Sequence, residues 1–265
     1  MDLNNSIQLA VRILNNQTDY LFGRNIIDRL FEMTKGEHSK ENVAMRLSVV
    51  DTFYSTNMNR RLFGITDLSE KISGIGPDEI ILKEIGKYKE DQKSEIDEIL
   101  NNDYGIRKTG EDVGGARSLI SKYLYFVSNH KFPIEDKLVK NNIKDVLAYF
   151  NEPFSKKEDI LKSIIKFCSA KRIELEHFDN FLWLIGKINK GSFSLILQKD
   201  RYKKIKDVLN INGTSSNDFD KNFADAIRNE NKIRDLKDLK LITNDFYNFL
   251  MLNIDIRNNT NKGKN

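Results

Sequence analysis

Residues 136–151, DKLVKNNIKDVLAYFN, set Val139, Ile143, Val146, Leu147 and Phe150 at i, i+4, i+7, i+8 and i+11. At helical periodicity these positions share one side, with lysine, asparagine and aspartate gathered on the other. The stretch predicts an α-helix with one buried stripe. The spacing recurs at 175–185 through Leu175, Phe178, Leu182 and Ile185, and at 236–252 through Leu239, Ile242, Phe246, Phe249 and Leu250. Period-2 alternation is scarce, and only Pro77, Pro133 and Pro153 punctuate the 265 residues. The expected fold class is all-α.

Breaks at glycine, proline and Asn/Asp/Ser clusters divide the chain into about eleven helices: roughly 4–15, 18–34, 40–55, 66–72, 77–100, 112–128, 136–151, 156–171, 174–188, 192–209 and 217–252, the last broken near 230–235. Within 77–100 the run YKEDQKSE is polar all round, so that helix either projects from the body or is interrupted there. The helices form a globular bundle over 1–255. It is one domain or two packed subdomains, one of about 40–130 and the other of 1–39 with 131–255. The end, DIRNNTNKGKN, offers no apolar anchor and is expected to be a flexible tail from 256.

Hydrophobic residues make up 39% and charged residues 31%, a balance that suits a folded chain with a well-solvated surface. The lone cysteine, Cys168, rules out an intramolecular disulfide and a multi-cysteine zinc site. It shares a helical face with Leu161, Ile164 and Ile165, which predicts a buried thiol. His38, His130 and His177 stand far apart, so no metal is expected. The chain lacks a Walker-type or dinucleotide-binding glycine loop, so no cofactor is expected either. No signal-peptide pattern and no apolar run near the ~18 residues of a membrane span is present, which points to a cytoplasmic protein. A net charge of +4, from 43 basic and 39 acidic residues, permits a polyanionic partner.

The segment richest in chemistry is 121–139, SKYLYFVSNHKFPIEDKLV. One helix ends near Ser128–Asn129, a short loop reaches Pro133, and a new helix opens at Glu135 or Asp136. An aspartate there accepts hydrogen bonds from free N–H groups at the helix start, and capping alone accounts for it. Beside a cleft, the same carboxylate can stabilise a developing sugar cation or activate a water or amine. On the preceding helix Ser118, Lys122, Tyr125 and Asn129 lie at i, i+4, i+7 and i+11 as a mostly polar face, so that Lys122 and Asp136 can face one cleft. An amine whose pKa is lowered by partial burial serves as a Schiff-base nucleophile, whereas a surface lysine of ordinary pKa does not.

A helix carrying lysine, a loop with proline, and an aspartate followed three residues later by valine resembles the helix-hairpin-helix, Gly/Pro-rich loop, Asp superfamily of DNA glycosylases. The resemblance spans roughly 40–190. It departs from the family in the three-residue step from Pro133 to Asp136, in adjacent glycines in DVGGARS (112–118), and in the closeness of Lys122 to Asp136. It implies the two-subdomain helical glycosylase fold and double-stranded DNA as partner. It also implies excision of a damaged or modified base, with Asp136 assisting glycosidic cleavage and Lys122 opening the sugar. The setting would be repair, or defence against viral DNA with modified bases.

In VVDTFYSTNMNRRLFG (49–64) the same resemblance implies that Tyr54, Ser55, Asn57 and Asn59 read a base edge while Arg60 and Arg61 hold phosphates. The alternative is a capped helix end with a solvated basic turn. Trp183, in FDNFLWLIGK (178–187), resembles a late pocket-closing residue, and is otherwise core. Tyr125 is the remaining substrate-binding candidate. SGIGPDEI (73–80) resembles a phosphate-gripping hairpin turn, but reads first as an ordinary helix start, with Pro77 in the first turn and Asp78 and Glu79 favouring the dipole. In QKDRYKKIKDVLN (198–210), Lys204 is a phosphate candidate on a face that is otherwise a solvated mix of charges. A reading without catalysis is a helical DNA- or protein-binding module of a regulatory or abortive-infection system, in which Asp136 is only a cap. A nuclease is disfavoured, because no clustered carboxylates with a lysine stand on predicted strands.

Overall fold

The periodic segments are helices, and short polar side chains start them. The computed structural model describes all residues except 17, 155–158, 192–198, 212–215 and 263–265. Helix occupies 71%, and the described residues contain no strand. The α-helices are α1 (Leu3–Asn15), α2 (Thr18–Met33), α3 (Lys40–Tyr54), α4 (Gly64–Ile75), α5 (Asp78–Lys89), α6 (Glu95–Asn101) and α7 (Arg117–Val127). They continue as α8 (Lys137–Tyr149), α9 (Ile160–Lys171), α10 (Leu175–Lys190), α11 (Lys199–Val208), α12 (Ser216–Ala226), α13 (Glu230–Asp238) and α14 (Asn244–Lys262). Side-chain oxygens of Asp2, Ser39, Ser94, Asp159 and Asn229 take up the first free N–H groups of α1, α3, α6, α9 and α13.

The helices outnumber the sequence expectation because two long periodic stretches are cut. Asp91, with φ 57°, ends the turn after α5, and Ser94 caps α6, which interrupts 77–100 within its polar run. The stretch from 217 is cut twice, at Asn229 and again at Lys240, whose φ is 54°. One helix start also moves. The expected helix at 112–128 begins only at Arg117, since 103–115 forms a loop tied by isolated bridges Leu62↔Ile106, Asp103↔Gly115 and Ile106↔Asp112. The first residues of the expected helices 156–171 and 192–209 lie outside the described residues. Toward the end, α14 runs to Lys262 where a tail was expected from 256, because Ile254 and Ile256 are buried and anchor it.

Contacts divide the chain into two units. One comprises Met1–Phe22, Lys137–Ser155 and His177–Asn265, and the other Gly23–Asp136 and Lys156–Glu176. In the first, α14 packs on α1, α8 and α13, around buried Ile7, Val146, Phe181 and Phe249. In the second, α3 packs on α4 and α7 around Leu47, Val50, Leu68, Ile120 and Tyr123, and α9 adds Leu161 and Ile165 to the same core. Cys168, on α9, is buried as its helical face predicts. No described helix is long and apolar enough to cross a membrane, and no described group of three or more His, Cys, Asp or Glu is arranged to hold a metal ion.

Candidate active site

The second unit brings three of the sequence candidates together. Lys122, on α7, is 2% exposed, far below what an unpaired lysine tolerates. Its ammonium donates to Ser118 Oγ at 2.8 Å and to the Ser118 carbonyl at 3.3 Å, one turn earlier on the same helix. It lies 3.8 Å from Asp136 Oδ2 and 5.3 Å from the centre of the Tyr54 ring. Tyr54 is the last residue of α3 and Asp136 the last before α8, so three separate elements converge on one amine. The Asp136 side chain is 19% exposed and that of Lys122 is 3%, so the carboxylate meets solvent and the amine stands behind it.

Two neighbours fix the chain at Asp136. The Glu135 N–H donates to the buried Ser121 Oγ at 3.0 Å, which ties the loop to the middle of α7. The Glu135 carboxylate, itself 3% exposed, takes the Arg117 guanidinium at 2.8 Å. Arg117 also reaches Asp159, which caps α9 and accepts the Tyr88 hydroxyl at 3.1 Å. Ser121, Glu135 and Arg117 were not among the sequence candidates. Their signal was there in Arg117, Ser118, Ser121 and Lys122, which lie three and four residues apart on one helix side.

The turn after α3 is built around a buried carboxylate. Asp51 accepts the N–H groups of Met58 and Asn59, each at 2.9 Å, and the Thr56 hydroxyl. Ser55 and Asn57 adopt the left-handed region, with φ of 50° and 63°. Ser55, Asn57, Asn59 and Arg60 are all exposed. Arg61 differs: its guanidinium donates to the carbonyls of Tyr104 at 3.1 Å, Gly114 at 2.9 Å and Gly115 at 3.3 Å. Burial, and after it the nearby Arg107, lower its pKa against the pull of Asp103 and Asp51. Arg61 thus braces the 103–115 loop, which corrects the expectation that it holds phosphate. The loop in turn offers exposed Arg107 and Lys108, cations that the sequence reading passed over.

Tyr125 is a second correction. It is 2% exposed and stacked on the His130 ring at 4.6 Å, so it is not free to read a base edge. The helical face on which it was grouped with Lys122 turns inward by Tyr125, because α7 is buried on nearly every side. Trp183, on α10, and Lys204, on α11, belong to the other unit. Trp183 is half-buried with the Lys187 ammonium 5.3 Å from its ring centre, and Lys204 is exposed. A cavity of about 470 Å³ also lies in that unit and is lined by none of the expected catalytic residues.

A carboxylate at the surface of a buried, hydrogen-bonded amine, with an aromatic face alongside, can stabilise positive charge and relay a proton between the two groups. Comparison with protein-family models, curated proteins and solved structures finds no match to this chain.

Proposed function

We propose that the chain is a DNA glycosylase that excises a damaged or modified base from double-stranded DNA. The observation that carries this reading is the Lys122–Asp136 pair beneath the Tyr54 ring. As the N-glycosidic bond breaks, positive charge builds on the sugar, and a fixed carboxylate offsets it. In one route water adds at C1′ and its proton leaves to Asp136. In the other, Lys122 passes a proton to Asp136 and its free amine adds at C1′ instead; in both routes the base departs with the electrons of the glycosidic bond and takes up a proton, and in the second the sugar ring then opens to leave the Schiff base. The exposed amides of Asn57 and Asn59 and the hydroxyl of Ser55 suit the edge of an extruded base, and Arg60 with Arg107 suits flanking phosphates. Lys204 is a further phosphate contact, on the other unit. The setting is base repair or defence against viral DNA with modified bases, in the cytoplasm.

Duplexes carrying a panel of damaged and modified bases, followed by detection of abasic sites, test the proposal. Asp136→Asn should melt near the wild-type temperature and bind DNA normally, yet lose at least about 100-fold in base release, the scale of one electrostatic contact. Loss of a borohydride-trapped adduct in Lys122→Ala identifies the lyase route. DNA binding should weaken steeply with salt, with a smaller slope in Arg60→Glu. Salt-insensitive binding, or wild-type excision by Asp136→Asn, overturns the assignment and leaves a helical binding module.

A further inference from the structure

The cavity of about 470 Å³ lies wholly within the first unit, between α8, α10, α14 and the turn before α13. Its volume is that of a small-ligand site. Val146, Ile185, Ile254 and Ile256 make an apolar wall, all buried. Facing them are two guanidiniums, Arg228 and Arg257, and the half-buried carboxylate of Asp145.

Arg257 is held by a relay of amides. Asn142 Nδ2 donates to the Leu138 carbonyl at 2.6 Å, and Asn189 Nδ2 donates to Asn142 Oδ1 at 2.6 Å. Arg257 then donates from Nε to Asn189 Oδ1 at 2.7 Å and from Nη2 to the Asn189 carbonyl at 3.2 Å. Every acceptor in the relay is neutral. Burial, with Arg228 adding to it and Asp225 opposing, brings the Arg257 pKa down to about 10. The only described carboxylate in an ion pair with Arg228 is Asp225, at 3.0 Å, and Arg257 has none. Two cations line a partly desolvated space where no described carboxylate forms an ion pair with Arg257, an arrangement that an anion would relieve. Gly186 permits the close approach of α10 to α8, since a Cβ there would stand 2.8 Å from Leu138 Cβ and 3.3 Å from Asn142 Nδ2.

From these features we infer that the cavity binds a mononucleotide whose base carries an exocyclic amino group, with the phosphate on Arg257 and Arg228 and the amino group on Asp145. A bare phosphate would leave the apolar wall unused. An uncharged apolar ligand would make no use of the two guanidiniums or of the Asp145 carboxylate. A flat base against the isoleucines, an amino donor toward Asp145 and a phosphate at the arginine pair use all three sets of groups.

Titration calorimetry of the full chain with AMP, CMP, UMP, adenosine and inorganic phosphate tests this. AMP or CMP should bind. UMP, adenosine and inorganic phosphate should each bind at least about tenfold more weakly, the scale of one lost charge-assisted hydrogen bond. Arg228→Glu changes an exposed side chain and should weaken AMP and CMP by at least that factor without lowering the melting temperature. Arg257→Lys keeps a charge for the fold but loses the planar fork, and should weaken them likewise. Asp145→Asn should erase the preference over UMP. Asp136→Asn and Lys122→Ala should leave nucleotide binding unchanged, which separates this site from the proposed DNA chemistry. The inference fails if no mononucleotide binds at millimolar concentration, if inorganic phosphate binds as well as AMP, or if Arg228→Glu binds like wild type.

Discussion

Arg46 has no exposed surface, yet its guanidinium is surrounded by hydrogen-bond acceptors and one aromatic face. It donates to both oxygens of Asp78 at 2.8 and 3.1 Å, to Thr34 Oγ1 at 2.7 Å and to the Thr34 carbonyl at 2.6 Å, and lies 4.9 Å from the Phe31 ring centre. Desolvation of such a pair is offset only while both partners remain. Arg46→Met should therefore cost about 3–5 kcal/mol in urea unfolding, whereas Arg46→Met with Asp78→Leu should recover most of the loss. A double variant as unstable as the single would show that Asp78 is not the source of the penalty. The same pair involves a residue that the sequence reading placed at a helix start. Asp78 is a first-turn acid of α5 and also the buried counter-ion of a residue 32 positions earlier, a second role that the SGIGPDEI segment does not signal. Periodicity reports which face is buried, but a partner at that distance leaves no local mark.

At the scale of elements, the 103–115 loop meets the Leu62–Gly64 end of the turn after α3 main chain against main chain. Gly105 has φ +76°, and a Cβ on it would stand 2.8 Å from Gly64 Cα and 2.9 Å from the Leu62 carbonyl oxygen. Gly110, in the same loop, has φ +83° with nothing within 4 Å of the added carbon. The two alanine variants separate backbone conformation from collision. Gly110→Ala should cost about 1–2 kcal/mol, the left-handed penalty alone, and Gly105→Ala distinctly more, both read by thermal unfolding. Equal losses would mean that the loop moves aside freely. Most helices were legible in the sequence because their apolar stripes are long; this loop was not. Gly114 and Gly115 were read within the start of a helix, and one of the bridges that hold the loop, Leu62↔Ile106, pairs residues 44 positions apart. The convergence of Lys122 with Asp136 was legible, since both lie within one helix-loop-helix. The inward turn of Tyr125 was not, because burial on nearly all sides of α7 erases the polar face that spacing implied.

Across the molecule, the chain returns to its second unit only through Lys156–Glu176, and charge ties that segment down. His130 Nε2 lies 2.7 Å from Asp28, and its Nδ1 lies 2.7 Å from Arg24 Nη2 and 3.5 Å from Glu176 Oε2. Arg24 also pairs with Glu176. A neutral ring donates from Nε2 to Asp28 and accepts from Arg24 at Nδ1, while a protonated ring donates to Asp28 and turns Nδ1–H toward Glu176. Burial lowers the His130 pKa, but Asp28 and Glu176 together outweigh it and hold it above its ordinary 6.5. His130 and then Arg24 bring Glu176 from 4.5 down to about 2 against its burial. The histidine thus stabilises the fold fully below pH 6.5 and loses that contribution as pH rises through its raised pKa. Glu176 contributes above pH 4.5 and loses its contribution as pH falls toward 2. The melting temperature should be highest between these limits, and His130→Gln should flatten the alkaline fall and shrink the acid one. Parallel profiles for variant and wild type would sink this account.

The division of the chain also dictates an order of events during synthesis. Helix α1 leaves the ribosome long before α14, the helix it packs against. Its apolar face, with Leu3, Ile7, Ala10 and Leu14, must therefore wait for more than two hundred residues to be translated. At bacterial or eukaryotic elongation rates of about 5–20 residues per second, that wait is on the order of ten seconds or more. The other unit, complete once Glu176 has emerged, can assemble well before it. While the helices between them are made, α1 is thus an amphipathic helix without α14 to cover it, a natural handle for a chaperone that recognises short apolar segments.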